Sequence, residues 1–263
     1  MSEINEYTPG TFCWPELVAA DADKAKEFYK SLFNWDITDN PIGADQVYSM
    51  AAIRGKAVGA MYPMYQEQAE QGVPTYWGSY VSVANVDDTV NKAKSLGANV
   101  IVEPKDVFDA GRMAAIVDPI GAVISFWQPF KHIGAEIVNE NGALVWNELA
   151  TNDSEKAKEF YTELLGWKFE DMNVGGIDYT VFMNTERPAG GMVAMQEEWC
   201  DMPPVWFVYF AVDDCDATVE QASSLGGKVV SPPKDLEGVG RMAMMTDSQD
   251  ALFAVIKLDK MPD

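Results

Sequence analysis

The same succession of apolar and polar segments occurs four times along the chain. The order begins with a short apolar run, FCWPELVAA, which is typical of a β-strand. The next segment, DADKAKEFYKSLF, has apolar residues at helical spacing, with Asp21 as a plausible N-cap and Asp23 favourable in the first turn. The inward positions of this helix are Ala25, Phe28, Tyr29, Leu32 and Phe33. Short strands follow as far as Met64, so the unit predicts the order β-α-β-β-β.

The second unit has the same order. Its strand, YVSVANV, leads into the helix DDTVNKAKSLG, in which Val90, Ala93 and Leu96 point inward and Gly97 ends the helix. Further strands follow, and the Pro/Gly turn in VDPIGAV separates the last two.

The pair of units occurs twice. The stretch WPELVAADADKAKEFYKSLFNW from Trp14 returns as WNELATNDSEKAKEFYTELLGW from Trp146, with 12 of 22 positions identical. The block that starts at Tyr76 returns from Val205, at an offset of 129 residues instead of 132. This duplication predicts two homologous lobes, residues 8–130 and 142–259, joined by a connector at 131–141.

Charge and composition limit the possible functions. With 19 basic and 41 acidic residues, the net charge is −22, which repels nucleic-acid backbones and anionic lipid surfaces. The sequence has no apolar run of the roughly 20 residues that span a membrane, and MSEINEYTPG lacks the features of a signal peptide. Cys13, Cys200 and Cys215 are an odd number without a CxxC pair, typical of reduced packing residues. We therefore expect a cytoplasmic monomer or homodimer whose partner is a small molecule, not nucleic acid or a membrane.

The repeated signature resembles a known superfamily. The segments EFYKSLFNW, SLGANV and GRMAAIVDPIGA are similar to the pattern of the vicinal oxygen chelate superfamily, which contains glyoxalases, bleomycin-resistance proteins and extradiol dioxygenases. The resemblance covers the chain from about Tyr7 to Leu258 and extends to a tandem subgroup called glyoxalase-like or hydroxylase-like. It implies an α+β fold of four βαβββ modules paired into two homologous lobes. Each lobe is then a curved mixed sheet that forms a cup, with the helices outside.

The resemblance also implies where a divalent metal ion would bind. Carried over to this chain, the ligand positions on the strands fall on Trp14, Gly78 and Ser125 in the first lobe and on Trp146, Phe207 and Ala254 in the second. None of these is a metal ligand of the expected kind.

Histidine content leads to the same expectation. The chain has a single histidine, His132, in the connector. A non-haem iron site takes two histidines and a carboxylate, and catalytic zinc usually takes histidines as well. We therefore expect no metal cofactor, with a site built only from Glu and Asp oxygens as the open alternative.

Two glutamates are candidate catalytic groups. Glu16 and Glu148 follow Trp14 and Trp146 by two positions, so the period of a strand puts them on the same cup-facing side. A carboxyl group in an apolar cup has a raised pKa and can act as a general acid or base. The alternative, which the duplication favours, is that each accepts structural hydrogen bonds from the backbone or an arginine.

The two arginines of the repeated GRM motif also have either a functional or a structural role. Arg112 and Arg241 are candidates for binding an anionic ligand. They can equally pair with Glu16 and Glu148, or with an aspartate of the same hairpin, and we favour a structural ion pair.

Aromatic residues complete the set of candidate ligand-binding positions. Strand parity puts these side chains on the concave faces, where they either bind a flat organic ligand or fill the cup as core: Trp14, Tyr48, Met50, Tyr80, Ser125, Trp127, Trp146, Tyr179 and Tyr209. Trp77 and Trp206 have the opposite parity and are expected to pack against the helices.

Two classes of function remain. One is a metal-independent enzyme of glyoxalase-like lyase, isomerase or hydroxylase type; the other is a protein that sequesters an aromatic or cationic compound without turnover. A metal-dependent lyase or dioxygenase of the same superfamily is a further alternative. Within either class we expect the first lobe to bind the ligand, because its Gly78 and Ser125 become Phe207 and Ala254 in the second.

Overall fold

The computed structural model describes residues 3–43, 46–196, 199 and 202–260, so Cys200 lies outside the described residues. The strands of the first lobe are β1 (Phe12–Ala19), β2 (Asp36–Pro41), β3 (Val47–Ile53), β4 (Lys56–Pro63), β5 (Tyr76–Ser82), β6 (Asn99–Val107), β7 (Gly111–Val117) and β8 (Val123–Pro129). Its helices are α1 (Ala22–Phe33), α2 (Gln66–Glu70) and α3 (Val86–Ser95).

Among its described residues, the second lobe repeats this order without a counterpart of the short α2. Its strands are β9 (Leu144–Thr151), β10 (Lys168–Val174), β11 (Ile177–Asn184), β12 (Arg187–Ala194), β13 (Val205–Ala211), β14 (Lys228–Leu236), β15 (Gly240–Thr246) and β16 (Leu252–Leu258). Its helices are α4 (Ser154–Leu165) and α5 (Cys215–Ser224).

Each lobe is one eight-stranded mixed sheet. The strand orders are β2-β3-β4-β1-β5-β8-β7-β6 and β10-β11-β12-β9-β13-β16-β15-β14, which are the same order in the two lobes. In each sheet two βαβββ modules meet along an antiparallel pair of first strands, β1 with β5 and β9 with β13. The predicted α+β class, with paired modules forming two curved sheets, is therefore confirmed.

Local sequence explains where the helices begin and end. The Asp21 side chain accepts a hydrogen bond from the Lys24 amide, and Asp153 caps α4 in the same way through the Lys156 amide. Helix α4 ends at Gly166 with a left-handed φ of 74°, a conformation that costs glycine little, and Asn34 takes the same role after α1.

The helices lie outside each cup but between the two sheets. One apolar core contains α1 of the first lobe, α5 of the second lobe and the convex faces of both sheets. The other core pairs α3 with α4 in the same manner. The convex face of each lobe is therefore covered by the other lobe, and the concave faces carry two separate apolar clusters.

Repeated aromatic residues connect the lobes. Trp35 donates from Nε1 to the Gly142 carbonyl and Trp167 donates to the Gly10 carbonyl, both at 2.8 Å. Tyr29 donates to Asp247 of the other lobe at 3.1 Å, as Tyr161 does to Asp118 at 2.6 Å. The repeated EFY and NW/GW segments thus form the interface between the lobes.

The prediction for the two remaining tryptophans is confirmed as well. Trp77 donates to the Tyr29 hydroxyl of α1, and Trp206 donates to the Tyr161 hydroxyl of α4. Both indoles are buried on the helix-facing side of their sheets. Across the described ranges, no helix is long and apolar enough to cross a membrane.

Candidate functional site

The concave face of the first sheet, which we call the first cup, is organised around Glu16. Tyr48 donates its hydroxyl hydrogen to Glu16 Oε2 at 2.6 Å, and Tyr80 donates to Glu16 Oε1 at 2.8 Å. Trp14 Nε1 donates to the Tyr48 hydroxyl at 2.9 Å. Strands β1, β3 and β5 each supply part of this group, so strand pairing brings together residues that are distant in sequence.

The concave face of the second sheet, the second cup, has the same group around Glu148. Tyr209 donates to Glu148 Oε1 at 2.9 Å, and Trp146 Nε1 donates to the Tyr179 hydroxyl at 2.8 Å. The nearby Tyr179 hydroxyl also favours the charged form of Glu148 and so lowers the pKa of its carboxyl group. The sequence correctly predicts that these side chains share a face. The expectation that an arginine or the backbone is the partner of each glutamate is wrong, because tyrosine hydroxyls take that place.

Both carboxyl groups have perturbed acidity. Burial raises the pKa of Glu16 above its ordinary value, and the hydrogen bonds from Tyr48 and Tyr80 oppose this change. Burial likewise raises the pKa of Glu148. The same burial, together with the nearby Glu16 charge, raises the pKa of Tyr48 and Tyr80, so both hydroxyls remain protonated donors.

The first cup has additional tyrosines at its rim. Tyr62 and Tyr76 flank Val18 on the two strands that neighbour β1, one step beyond Glu16. The rings of Tyr62 and Tyr48 stack with centroids 6.1 Å apart, and Tyr62 also contacts Tyr65. The sequence analysis missed these rim residues, although Tyr76 alternates with Gly78 and Tyr80 on one strand and could have been found by parity.

The floors of the two cups differ next to the glutamates. Gly78 pairs with Glu16, and Phe207 pairs with Glu148 at the same register. A Cβ at Gly78 would meet Glu16 O and Tyr76 Cε2, both at 3.6 Å, which is ordinary van der Waals contact, so this position accepts a small side chain without displacing its neighbours. Phe207 is 2% exposed and belongs to the apolar cluster that fills the second cup.

Other predicted cup residues lie where parity puts them. Ser125 is adjacent to Tyr80 in the parallel β5–β8 pair, and its neighbours Ile124 and Phe126 belong to the helix-side core. Trp127 and Met50 pack into the cluster of the first cup. Ala254 takes the place of Ser125 beside Tyr209.

His132 of the connector also lies against the first cup. Its ring is edge-on to Trp14, with centroids 4.6 Å apart, and is 5.8 Å from the Trp127 centroid. The Trp127 indole donates to the His132 carbonyl at 2.8 Å. Periodicity cannot reveal such a residue, because the connector has no strand or helix pattern.

The two arginines are on the other side of their sheets. Arg112 forms ion pairs with Asp87 of α3 and with Asp106 of the same hairpin, at 2.7 and 2.6 Å. Arg241 repeats this arrangement with Asp216 and Asp235. Since α3 and α5 cover the convex faces, these guanidinium groups point away from both cups. This corrects their inclusion among ligand-binding candidates and agrees with the ion pair that we favoured.

Two surface hollows lie outside the cup floors. One follows Tyr65, Gln66, Glu67 and Glu70 at the outer edge of the first cup. The other runs beside α4 and includes Lys158, Asp171 and Tyr179. Neither hollow is lined by Glu16 or Glu148, the glutamates at the cup centres.

Comparisons with known proteins agree with this architecture. The family model described as the Glyoxalase/Bleomycin resistance protein/Dioxygenase superfamily matches residues 11–126 and 133–255. The chain is 42% identical over 259 residues to "Putative glyoxylase CFP32" of Mycobacterium tuberculosis, which covers 98% of both chains. It is 31% identical to "Anthracycline biosynthesis protein DnrV" of Streptomyces peucetius, with 97% of this chain and 96% of the relative covered.

Solved structures show the same fold. The Mn(II)-bound glyoxalase from Novosphingobium aromaticivorans has a TM-score of 0.67 at 14% identity, covering 97% of this chain and 84% of that one. The 2,3-dioxygenase LapB from Pseudomonas sp. KL28 has a TM-score of 0.62 at 13% identity, covering 100% and 95%. At these identities the similarity establishes the fold alone.

The residues in the cups do not fit a metal site of the kind that these structural neighbours suggest. The carried-over positions in the first cup hold an indole, a glycine and a hydroxyl group, on Trp14, Gly78 and Ser125. Both Glu16 oxygens already accept hydrogen bonds from tyrosines. Within the described part of the chain, no three His, Cys, Asp or Glu side chains are grouped so that they could hold a metal ion.

Proposed function

The chain belongs to the glyoxalase/bleomycin resistance protein/dioxygenase superfamily, and on that premise we propose that its first cup binds a small, flat organic molecule without a metal ion. The observation that carries the proposal is the combination of aromatic walls, a hydrogen-bonded carboxyl group and a glycine, Gly78, at the register position that Phe207 fills in the second cup. Ligand sites in proteins typically have this composition, with mostly apolar walls and a few polar groups that orient the ligand.

The chemistry of the walls favours a ring system. Trp14 and Trp127 offer flat apolar surface, and stacking or edge contacts between aromatic rings contribute about 0.5–1.5 kcal/mol beyond the buried area. The name of the relative DnrV refers to anthracyclines, which are fused-ring compounds. This name supports a polycyclic aromatic ligand as the class to test first.

Glu16 supports a second candidate function, proton transfer on the bound molecule. A buried carboxyl group with a raised pKa is better suited than an exposed one to exchange a proton with a bound molecule, as lyases and isomerases require. The relative CFP32 carries the name of a glyoxylase. In this reading Glu16 holds or releases the proton, Tyr48 and Tyr80 stabilise its charged form, and Trp14 positions Tyr48.

Independence from metal rests on the donor set. An indole and a glycine offer no lone pair of the kind that divalent cations prefer. We expect the purified protein to carry no stoichiometric iron, zinc, nickel or manganese by elemental analysis, and its melting temperature to be unchanged by a chelator. One retained metal ion per lobe after dialysis would refute metal independence.

The binding proposal is tested by calorimetric titration with flat aromatic compounds of two to four fused rings. Trp14→Ala should weaken binding about tenfold or more, since it removes a wall and the hydrogen bond that positions Tyr48. Trp146→Ala, the matched change in the second cup, should lower stability and leave the dissociation constant within about twofold of the wild type. Equal losses from both variants, or a ligand located in the second cup, would rule out a site restricted to the first.

Binding and catalysis are separated by Glu16→Gln. If Glu16 transfers a proton, this variant loses turnover by about 10²-fold or more and still binds the ligand. If the protein only sequesters its ligand, no turnover is found in the wild type and Glu16→Gln changes affinity alone. Glu148→Gln is the matched control, for which we expect neither effect.

A further inference from the structure

His132 is held in a defined position at the first cup. Its backbone amide donates to the Ala110 carbonyl at 3.0 Å, and its carbonyl accepts from Trp127 Nε1 at 2.8 Å. The imidazole ring then lies edge-on to Trp14, with an interplanar angle of 88°. Backbone and side-chain contacts therefore fix the ring between the two tryptophans that form the apolar walls.

One nitrogen of this ring lacks a hydrogen-bond partner among the described residues. That atom is His132 Nε2, which is buried. Burial lowers the pKa of His132, so the ring is neutral at pH near 7 and each nitrogen can act either as a donor or as an acceptor. A buried polar atom without a partner is destabilising, and such atoms are rare in native proteins.

The second lobe offers different surroundings at the equivalent place. Ile256 occupies the position of Trp127, at the same step of the β13–β16 pair. The position equivalent to His132, at the offset of 129, is Met261, which lies outside the described residues. The chemical group is thus specific to the first lobe, where Gly78 takes the place of Phe207.

We propose that His132 Nε2 is a ligand-binding atom of the first cup and forms a hydrogen bond with an oxygen substituent, hydroxyl or carbonyl, on the edge of a flat ring that lies against Trp14 and Trp127. This inference rests on the proposed function and narrows the ligand to oxygenated aromatic compounds. An oxygen there would satisfy Nε2 in either tautomer, since a hydroxyl group both donates and accepts.

The test compares two probes of nearly equal shape, 2-naphthol and 2-methylnaphthalene, by calorimetric titration of the full chain. The wild type should bind 2-naphthol about 3–10-fold more tightly, the ratio that one neutral hydrogen bond supplies. His132→Phe keeps an aromatic ring between the tryptophans and removes Nε2, so it should bind the two probes equally and hold 2-methylnaphthalene as the wild type does. His132→Gln, which restores a polar group, should recover part of the preference. Trp146→Phe in the second cup should leave the preference unchanged.

The outcomes separate this inference from the proposed function. If His132→Phe weakens both probes by the same factor, the ring acts through packing alone and the inference is wrong, while the cup remains a binding site. If the preference for 2-naphthol persists in His132→Phe, the hydroxyl group binds elsewhere and the inference is again wrong. If the wild type binds neither probe, the proposed function itself fails. Should His132→Phe not fold, as judged by circular dichroism, the result for His132→Gln decides.

Discussion

The two cups share one frame and differ in what fills it. In each, a glutamate accepts hydrogen bonds from tyrosines and a tryptophan supports one of them. Around this common group the second cup is apolar at matched positions, with Phe207 for Gly78, Ala254 for Ser125 and Ile256 for Trp127. The duplicated group therefore belongs to the frame, and the differences around it distinguish the cup that we propose as the ligand site from the other.

The rims of the two cups differ in the same way as their floors. Tyr62 and Tyr76 of the first cup correspond to Val193 and Val205, which occupy the same steps beside β9. Valine side chains at a rim add apolar contacts to the core beneath, whereas tyrosines present both a ring and a hydroxyl group. One lobe has thus converted its concave face into core, and the other keeps groups that can orient a ligand.

The largest effect is expected from emptying the second cup. Phe207→Ala should lower the free energy of unfolding by about 3–5 kcal/mol, the range for a buried phenylalanine truncated in a core. The matched change Gly78→Ala should cost less than about 0.5 kcal/mol, since its Cβ would meet its neighbours at an ordinary 3.6 Å. Urea unfolding of both variants measures the difference.

The opposite substitution, a phenylalanine in the first cup, tests the same difference between the two cups. Gly78→Phe copies the second cup into the first, so it should abolish binding of flat aromatic probes without unfolding the protein. Retention of binding would show that the ligand does not use the floor beside Glu16. A small stability loss for Phe207→Ala would mean that the second cup is not packed as a core.

A smaller effect is expected beside Glu148. Gly191 pairs with Glu148, and a Cβ at this position would overlap the Tyr179 hydroxyl group and ring. Gly191→Ala should therefore displace Tyr179 and lower stability by about 1–3 kcal/mol. In the first lobe the equivalent residue is already Ala60, so Ala60→Gly should cost about 1 kcal/mol or less. Thermal unfolding of Gly191→Ala and Ala60→Gly measures the loss of stability in each variant. Equal losses would contradict the close contact of Tyr179 with Gly191.

The pH dependence of stability should reveal both buried carboxyl groups. Burial raises the pKa of Glu16 above 4.5, so the folded state holds this proton more tightly than the unfolded state. The resulting stability is fully present below the unfolded pKa and is lost as pH rises through the folded pKa. Glutamine does not titrate, so Glu16→Gln should gain stability relative to the wild type as pH rises from below 4.5 through the raised folded pKa of Glu16.

Glu148→Gln should show the same sign, because burial raises the pKa of Glu148 as well. Urea unfolding at several pH values measures the difference between each variant and the wild type, which removes the contribution of the other carboxylates. A difference that is constant with pH would mean that these glutamates titrate normally.

Strand periodicity is sufficient to predict the frame of the site. Trp14 and Glu16 share a face because side chains alternate along a strand, and the repeat transfers this to Trp146 and Glu148. The tyrosine partners of each glutamate are not predictable in this way, because they depend on the register of three strands and on the bulge between Phe12 and Trp14.

Two further features depend on contacts that local patterns do not contain. The helices lie between the sheets because each lobe covers the convex face of the other, and the sequence alone does not specify how the lobes meet. His132 reaches the cup through the path of the connector, whose residues show no periodicity. Long-range packing thus determines the part of the site that sequence reasoning missed.

The smallest effect concerns the arginines. Arg112 and Arg241 pair with aspartates on the helix-covered side, where the partner side chains are half exposed or more. Exposed pairs contribute little, so Arg112→Met and Arg241→Met should each lower stability by less than about 1 kcal/mol, less still at high salt. Neither change should alter the affinity for an aromatic probe by more than about twofold, because each guanidinium group points away from its cup. A tenfold loss of affinity in Arg112→Met, without a change in fold, would instead place Arg112 in the ligand site and overturn the separation between a structural convex side and a binding concave side.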